Sequence, residues 1–215
     1  MRALILVDIQ NDFLPGGALA VPDGDAVIAP ANQLQPNFSL VVATQDWHPA
    51  NHGSFASNHP GRKTYEQIEL SGLPQTLWPV HCVQHTRGAE LARGLERNRI
   101  AKIFQKGTDP DLDSYSGFFD NGHRRATGLG EWLKNWMPEG RAGSGSGVGV
   151  TEVWICGLAT DYCVKFTALD AVKLGFATCV VEDACRGVNL RPSDSAAAID
   201  EMKAAGVKLV NSANV

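Results

Sequence analysis

Six short apolar runs, at 3–7, 40–43, 101–104, 153–156, 177–181 and 207–210, each end in polar residues and constrain the fold of this 215-residue chain more than any other feature. Continuous Leu, Ile, Val and Ala over four or five residues suits strands covered on both faces. Amphipathic stretches lie between most of the runs, notably at 161–174 and 192–205, with Thr160 or Asp161 placed to cap the first helix and Pro192 to start the second. Gly175 and Gly206 follow the last turns of these two helices. Strands that alternate with helices, joined by right-handed crossovers, predict an α/β doubly wound three-layer sandwich around a six-stranded, mostly parallel sheet. The length suits a single domain over 1–215. In such a sheet ligands bind beyond the C-terminal strand ends, which directs attention to the residue after each run.

Composition narrows the partners. Nineteen Lys and Arg against 23 Asp and Glu give a net charge of -4, the wrong sign for a nucleic-acid backbone. Five apolar residues between Arg2 and Asp8 are too few for a leader core or a membrane span, so a cytoplasmic protein without membrane contact is expected. Cys82, Cys156, Cys163, Cys179 and Cys185 form an odd set without a CxxC pair and are expected as free thiols, Cys156 buried in a strand. The stretches 49–79 and 107–122 lack periodicity and read as long functional loops, and the Gly/Ser-rich 140–149 reads as a surface connection.

Two constellations carry chemistry. Asp8 follows the first run, Lys106 the third, and Cys163 sits one turn into the helix after the fourth, so the sheet brings all three to one edge. A thiol at a helix N-terminus beside a lysine is favoured as thiolate, and Asp8 is placed to take its proton. The second constellation is Asp46, His48, His52 and His59, with His81 and His85 further on. Carboxylate and imidazole are donors for Zn, Fe or Mn, and Asp-x-His sets two on one extended segment for a remote His81 to close. Pro79 and Thr86 argue against a helix that would pair His81 with His85, and Cys82 reads as a packing residue.

The segments LILVDIQNDFLPGGALAV, ATQDWHPANHGSFA, LPQTLWPVHCVQ, FQKGTD with DSYSGFFDNG, and CGLATDYCVKFTALDA stand in order along nearly the whole chain. In these the chain resembles the bacterial nicotinamidases of the isochorismatase-like cysteine hydrolase superfamily. The resemblance implies that superfamily's fold, with Cys163 as nucleophile, Asp8 as general base and later acid, and Lys106 oriented toward both. It implies one divalent ion, Zn with Fe or Mn as alternatives, held by Asp46, His48 and His81, with His52 as a further candidate and His59 and His85 on the surface. It implies Phe13, Trp78 and Tyr115 as aromatic walls of the substrate site, and the amides of Ala159 and Cys163 as an oxyanion hole after a cis peptide. The implied activity is hydrolysis of nicotinamide, with pyrazinamide as a further substrate, through a cysteine thioester in NAD salvage, with a homo-oligomer as one option. The alternative is an amidohydrolase of the same superfamily acting on a carbamoyl or ureido substrate, which has no need of the Asp and His set.

Overall fold

The computed structural model describes residues 1–137 and 149–215, so the Gly/Ser-rich connection expected at 140–149 lies, but for Gly149, outside the described residues. The strands are β1 (Arg2–Val7), β2 (Val41–Asp46), β3 (Gln67–Leu70), β4 (Leu73–Thr76), β5 (Ile100–Lys106), β6 (Glu152–Leu158), β7 (Ala177–Arg186) and β8 (Lys208–Val210). The α-helices are α1 (Ile28–Leu34), α2 (Leu129–Asn135), α3 (Lys165–Lys173) and α4 (Asp194–Ala204). Six strands form one sheet in the order β5-β2-β1-β6-β7-β8 with every pairing parallel, as the run pattern predicts. The centre of that sheet is the most apolar part of the chain: Ala3 to Val7 of β1 and Val153, Ile155 and Cys156 of β6 are all but inaccessible. No described helix is long and apolar enough to cross a membrane.

Four local expectations need correction. The edge strands β5 and β8 are not covered on both faces: Ile103 is 42% exposed and Lys208 is exposed, because the packed layers centre on the inner strands and thin out toward the sheet's margins. The region 49–79 is not wholly irregular, since β3 and β4 form an antiparallel hairpin in register Gln67↔Thr76 to Leu70↔Leu73. Its two-residue turn is Ser71-Gly72, both at positive φ (51° and 80°), which a primed hairpin turn requires. The helix expected from 161 opens instead with a wide turn, Thr160–Val164, in which the Val164 amide reaches back five residues to the Ala159 carbonyl before α3 begins. No side chain caps that turn: Asp161 turns away and accepts the amides of Val188 and Asn189 at 2.8 and 2.7 Å, which pins the loop after β7 over the sheet edge. The next helix starts at Asp194, two residues after Pro192, while Gly175 and Gly206 follow their helices at φ 88° and 95° as expected.

Candidate active site

Four adjacent strands end at the site. The chain leaves β1 through Asp8 at φ 47°, β2 ends on Asp46, β5 ends on Lys106, and β6 leads through a cis Leu158–Ala159 peptide into the turn that carries Cys163. Gly157, at φ 123°, permits this crowding, because a Cβ there would stand 2.1 Å from the Val7 carbonyl oxygen. Asp8, Asp46, Lys106 and Cys163 are all buried.

Lys106 joins the two constellations that the sequence presents separately. Its ammonium donates to Asp46 Oδ1 at 2.5 Å, to the Ser114 carbonyl at 2.9 Å and to Cys163 Sγ at 3.4 Å. Those three bonds engage all three of its N–H groups. Asp8 Oδ2 lies 3.0 Å from the same nitrogen yet receives no hydrogen bond, while Asp8 Oδ1 accepts the Thr44 hydroxyl at 2.6 Å. One carboxylate oxygen of Asp8 is therefore attracted to a cation but keeps a free lone pair.

Electrostatics assign the resting protons. Burial raises the Asp8 carboxyl to about 6, with Lys106 and Thr44 pulling the other way. Burial would also raise Asp46, but Lys106 and then His48 more than reverse it and hold that carboxyl well below the usual range. Burial works against the Lys106 charge, and Asp46 and Asp8 outweigh it, so the ammonium stays protonated. At Cys163 the lysine's help is outweighed: burial, together with the charges of Asp8 and Asp46, pushes the thiol well above the ordinary value, and Lys106 only partly opposes them. Cys163 rests as a neutral thiol, which leaves its proton for Asp8 to take, as the sequence reading expects.

The histidines form an adjoining cluster. The Asp46 carboxylate and one nitrogen each of His48 and His81 lie within 4.8 Å of one another. His48 Nδ1 donates to the Gly107 carbonyl and His81 Nδ1 to the Pro79 carbonyl, both at 2.8 Å, which turns each Nε2 the other way. His48 Nε2 stands 3.7 Å from Asp46 Oδ2, and despite burial the Asp46 carboxylate raises the affinity of His48 for a proton. Gly107, at φ 61°, is required for this arrangement, since a Cβ would fall 2.3 Å from the His48 ring. Burial lowers His81 to about 4, so it is neutral and available near pH 7. His52 is not grouped with Asp46 and His81; it is placed with His48 and Asp113, its Nδ1 against the Ser54 hydroxyl and its buried Nε2 without a partner. His59 is half-buried on the Gly53 carbonyl and His85 is exposed against Trp47, both outside the cluster. All five cysteines are free and buried, and Cys82 belongs to none of the ligand groups.

Between thiol and histidines lies a narrow cleft. Phe13, Trp78, Tyr115 and Ala159, the four expected substrate-binding positions, all line it. Trp78 Nε1 donates to the Tyr115 hydroxyl at 3.1 Å, and Gln75, delivered by the hairpin, reaches the same hydroxyl at 3.2 Å and Asp113 Oδ2 at 2.9 Å. Sequence reasoning missed Leu19, Asp113, Tyr162 and Val188 in the wall. A signal existed for Tyr162, which directly precedes Cys163 and packs edge-on against Trp78 at 4.9 Å.

Comparison with known proteins places this geometry. The Isochorismatase domain model matches residues 2–214. The nicotinamidase of Escherichia coli strain K12 is 53% identical over 212 residues, covering 97% of this chain and 93% of its own. A nicotinamidase/pyrazinamidase structure from Acinetobacter baumanii superposes with a TM-score of 0.91 at 45% identity, covering 99% and 97% of the two chains. The pyrazinamidase of Pyrococcus horikoshii, solved in complex with zinc, gives 0.74 at 40% identity over 98% of both. With a matching domain over almost every residue and relatives of this similarity, the chain belongs to the isochorismatase family.

Proposed function

We propose that the protein is an amidohydrolase that converts nicotinamide to nicotinate and ammonia, with pyrazinamide as a second substrate. The observation that carries this reading is the joining, through Lys106, of a thiol and a buried carboxylate to an Asp and His cluster, across an aromatic cleft. The similarity to nicotinamidases supports the substrate, and the zinc complex of one relative supports a metal.

The donor set fits a borderline divalent cation such as Zn, with Fe or Mn as alternatives: one ionised carboxylate and two imidazoles, each oriented by a carbonyl behind it. Asp46, His48 and His81 would hold the ion, and when bound it supplies a Lewis-acid anchor for the pyridine nitrogen. The chain's own groups carry the reaction. Phe13, Trp78 and Tyr115 flank the ring and exclude water from it. The free lone pair on Asp8 Oδ2 takes the Cys163 thiol proton, and the Lys106 ammonium stabilises the thiolate as it forms. The thiolate attacks the carboxamide carbon, and the amides of Ala159 and Cys163 hold the resulting oxyanion, each such donor contributing about 3 kcal/mol. Asp8 returns the proton to the amide nitrogen, ammonia leaves, and a thioester to Cys163 remains. Asp8 then removes a proton from water, which attacks the thioester and expels the Cys163 thiolate, and Asp8 returns that proton to the sulfur as nicotinate leaves.

Ammonia release from nicotinamide by the purified protein, compared with an N-carbamoyl amino acid, tests the proposal. Turnover of nicotinamide at least a hundredfold faster is expected, and preference for the carbamoyl compound overturns it. The buried base adds a pH signature. A carboxyl raised to about 6 loses its base form as pH falls through that value, so kcat/KM is expected to drop tenfold per unit below it. The Thr44 hydroxyl stabilises the Asp8 carboxylate, so Thr44→Val is expected to move this acid limb to higher pH. A limb that stays put in Thr44→Val contradicts Asp8 as the base.

A further inference from the structure

We infer that Gln10 is the positioning residue that holds the cation-binding geometry together, an inference that rests on the metal reading above. The β1–β2 ladder runs only from Leu4↔Val41 to Leu6↔Ala43, because the chain turns out of the sheet at Asp8. Asp46, three residues further along β2, therefore has no β1 residue beside it, while its other edge is still paired with Lys106 of β5. The fully buried side-chain amide of Gln10 takes the missing strand's place. Its Oε1 accepts the Asp46 amide at 2.7 Å and its Nε2 donates to the Asp46 carbonyl at 2.8 Å.

The second N–H of the same Nε2 donates to the Ala89 carbonyl at 2.8 Å, in the segment that follows His81. Its two neighbours act on that segment too: Asn11 Nδ2 donates to the Arg87 carbonyl at 2.7 Å, and Asp12 Oδ2 accepts the Cys82 amide, next to His81, at 2.7 Å. Gln10 is the member of this trio that also grips the strand bearing Asp46, with His48 two residues on. One side-chain amide thus holds the Asp46 backbone itself against the segment that follows His81, a segment that Gln45 of β2 reaches at the same Ala89 carbonyl without gripping Asp46. Ligand groups held before the ion arrives bind it more tightly, and residues that orient ligands alter metal affinity ten- to a hundredfold when replaced.

Gln45 provides the control. It donates to the same Ala89 carbonyl at 2.8 Å and is also buried, but its amide does not touch Asp46. The experiment measures the Zn dissociation constant of the full chain by competition with a chromogenic chelator, together with Tm, for wild type, Gln10→Met, Gln10→Glu, Gln45→Met and Asp46→Ala. Gln10→Met is expected to weaken Zn binding ten- to a hundredfold. Gln10→Glu, which keeps the acceptor for the Asp46 amide, is expected to give a smaller loss and carries the comparison if the methionine variant does not fold. Gln45→Met is expected to bind Zn within threefold of wild type whatever its Tm. Gln10 variants within threefold of wild type, or an equal loss in Gln45→Met, overturn the inference. Equal Zn binding by wild type and Asp46→Ala instead overturns the metal reading on which it rests.

Discussion

Cys163→Ala is expected to lower nicotinamide turnover by roughly ten thousandfold or more, because the variant retains the cleft and the cation cluster but has no atom to form the acyl bond. The site around it explains why no other group substitutes. The remaining thiols, on Cys82, Cys156, Cys179 and Cys185, are all buried, and none lines the cleft. Asp8 would still bind a water, but direct attack by water on an amide lacks the thioester that divides the reaction into two easier steps. Two measurements check this. Rapid acid quench of wild type with nicotinamide should show a nicotinoyl adduct on the peptide carrying Cys163, and Cys163→Ala should show none. Residual turnover above a few per cent, or an adduct elsewhere, removes Cys163 from the role of nucleophile.

Removal of the cation is the second large effect. Chelation is expected to reduce nicotinamide turnover about a thousandfold, corresponding to several kcal/mol of Lewis-acid and orienting contribution, with recovery on adding Zn, Mn or Fe back. His81→Ala and Asp46→Ala should both lose the ion, yet they should differ afterwards. His81 bonds only to the Pro79 carbonyl, so its loss leaves Asp8, Lys106 and Cys163 as they are. Asp46 is the closest anion to Lys106, and its loss frees an N–H to swing onto Asp8 Oδ2, the atom that must stay free to accept a proton. High Zn concentrations should therefore restore part of the activity of His81→Ala and none of that of Asp46→Ala. Equal recovery in both variants would show that Asp46 serves the ion alone.

The six strands and the convergence of Asp8, Lys106 and Cys163 were legible because parallel strands are written as short, largely apolar runs, interrupted by a charged residue only in the two edge strands, at Lys102 and Lys208, and the sheet's topology then places their ends together. The hairpin of β3 and β4 was not, since β3 is half-buried to exposed, the buried residues of β4 are the polar Gln75 and Thr76, and Pro74 stands inside it, leaving no apolar face to read. Ser71-Gly72 was the one local signal. The need for Asp8 to take the Cys163 proton was legible, but the strength of the opposition to the thiolate was not, because helix-end position and a lysine neighbour are local features, whereas burial and two carboxylates from other strands decide the outcome. The contact between Lys106 and Asp46 depends on side chains sixty residues apart and could not be read from either motif alone. Phe13 and Tyr115 were expected in the wall only through the family resemblance, and Leu19 and Val188, for which the sequence holds no marker, became wall residues only once the chain was folded.

The order β5-β2-β1-β6 also acts as a ruler. Neighbouring strands stand about 4.8 Å apart, so the backbones that lead to Cys163 and end on Asp46 are separated by two such steps, about 10 Å, with Asp8 on the strand between them. The side chains reach inward from both strands and close that gap until the Asp46 carboxylate and the Cys163 sulfur lie within 4.8 Å of one another. The sheet therefore fixes where the two ends of the site stand, and the side chains fix how much room is left between them, which favours a compact ring over an extended chain. Variation in what such a protein accepts must then come from the residues that close the cleft sideways, Leu19, Tyr162 and Val188.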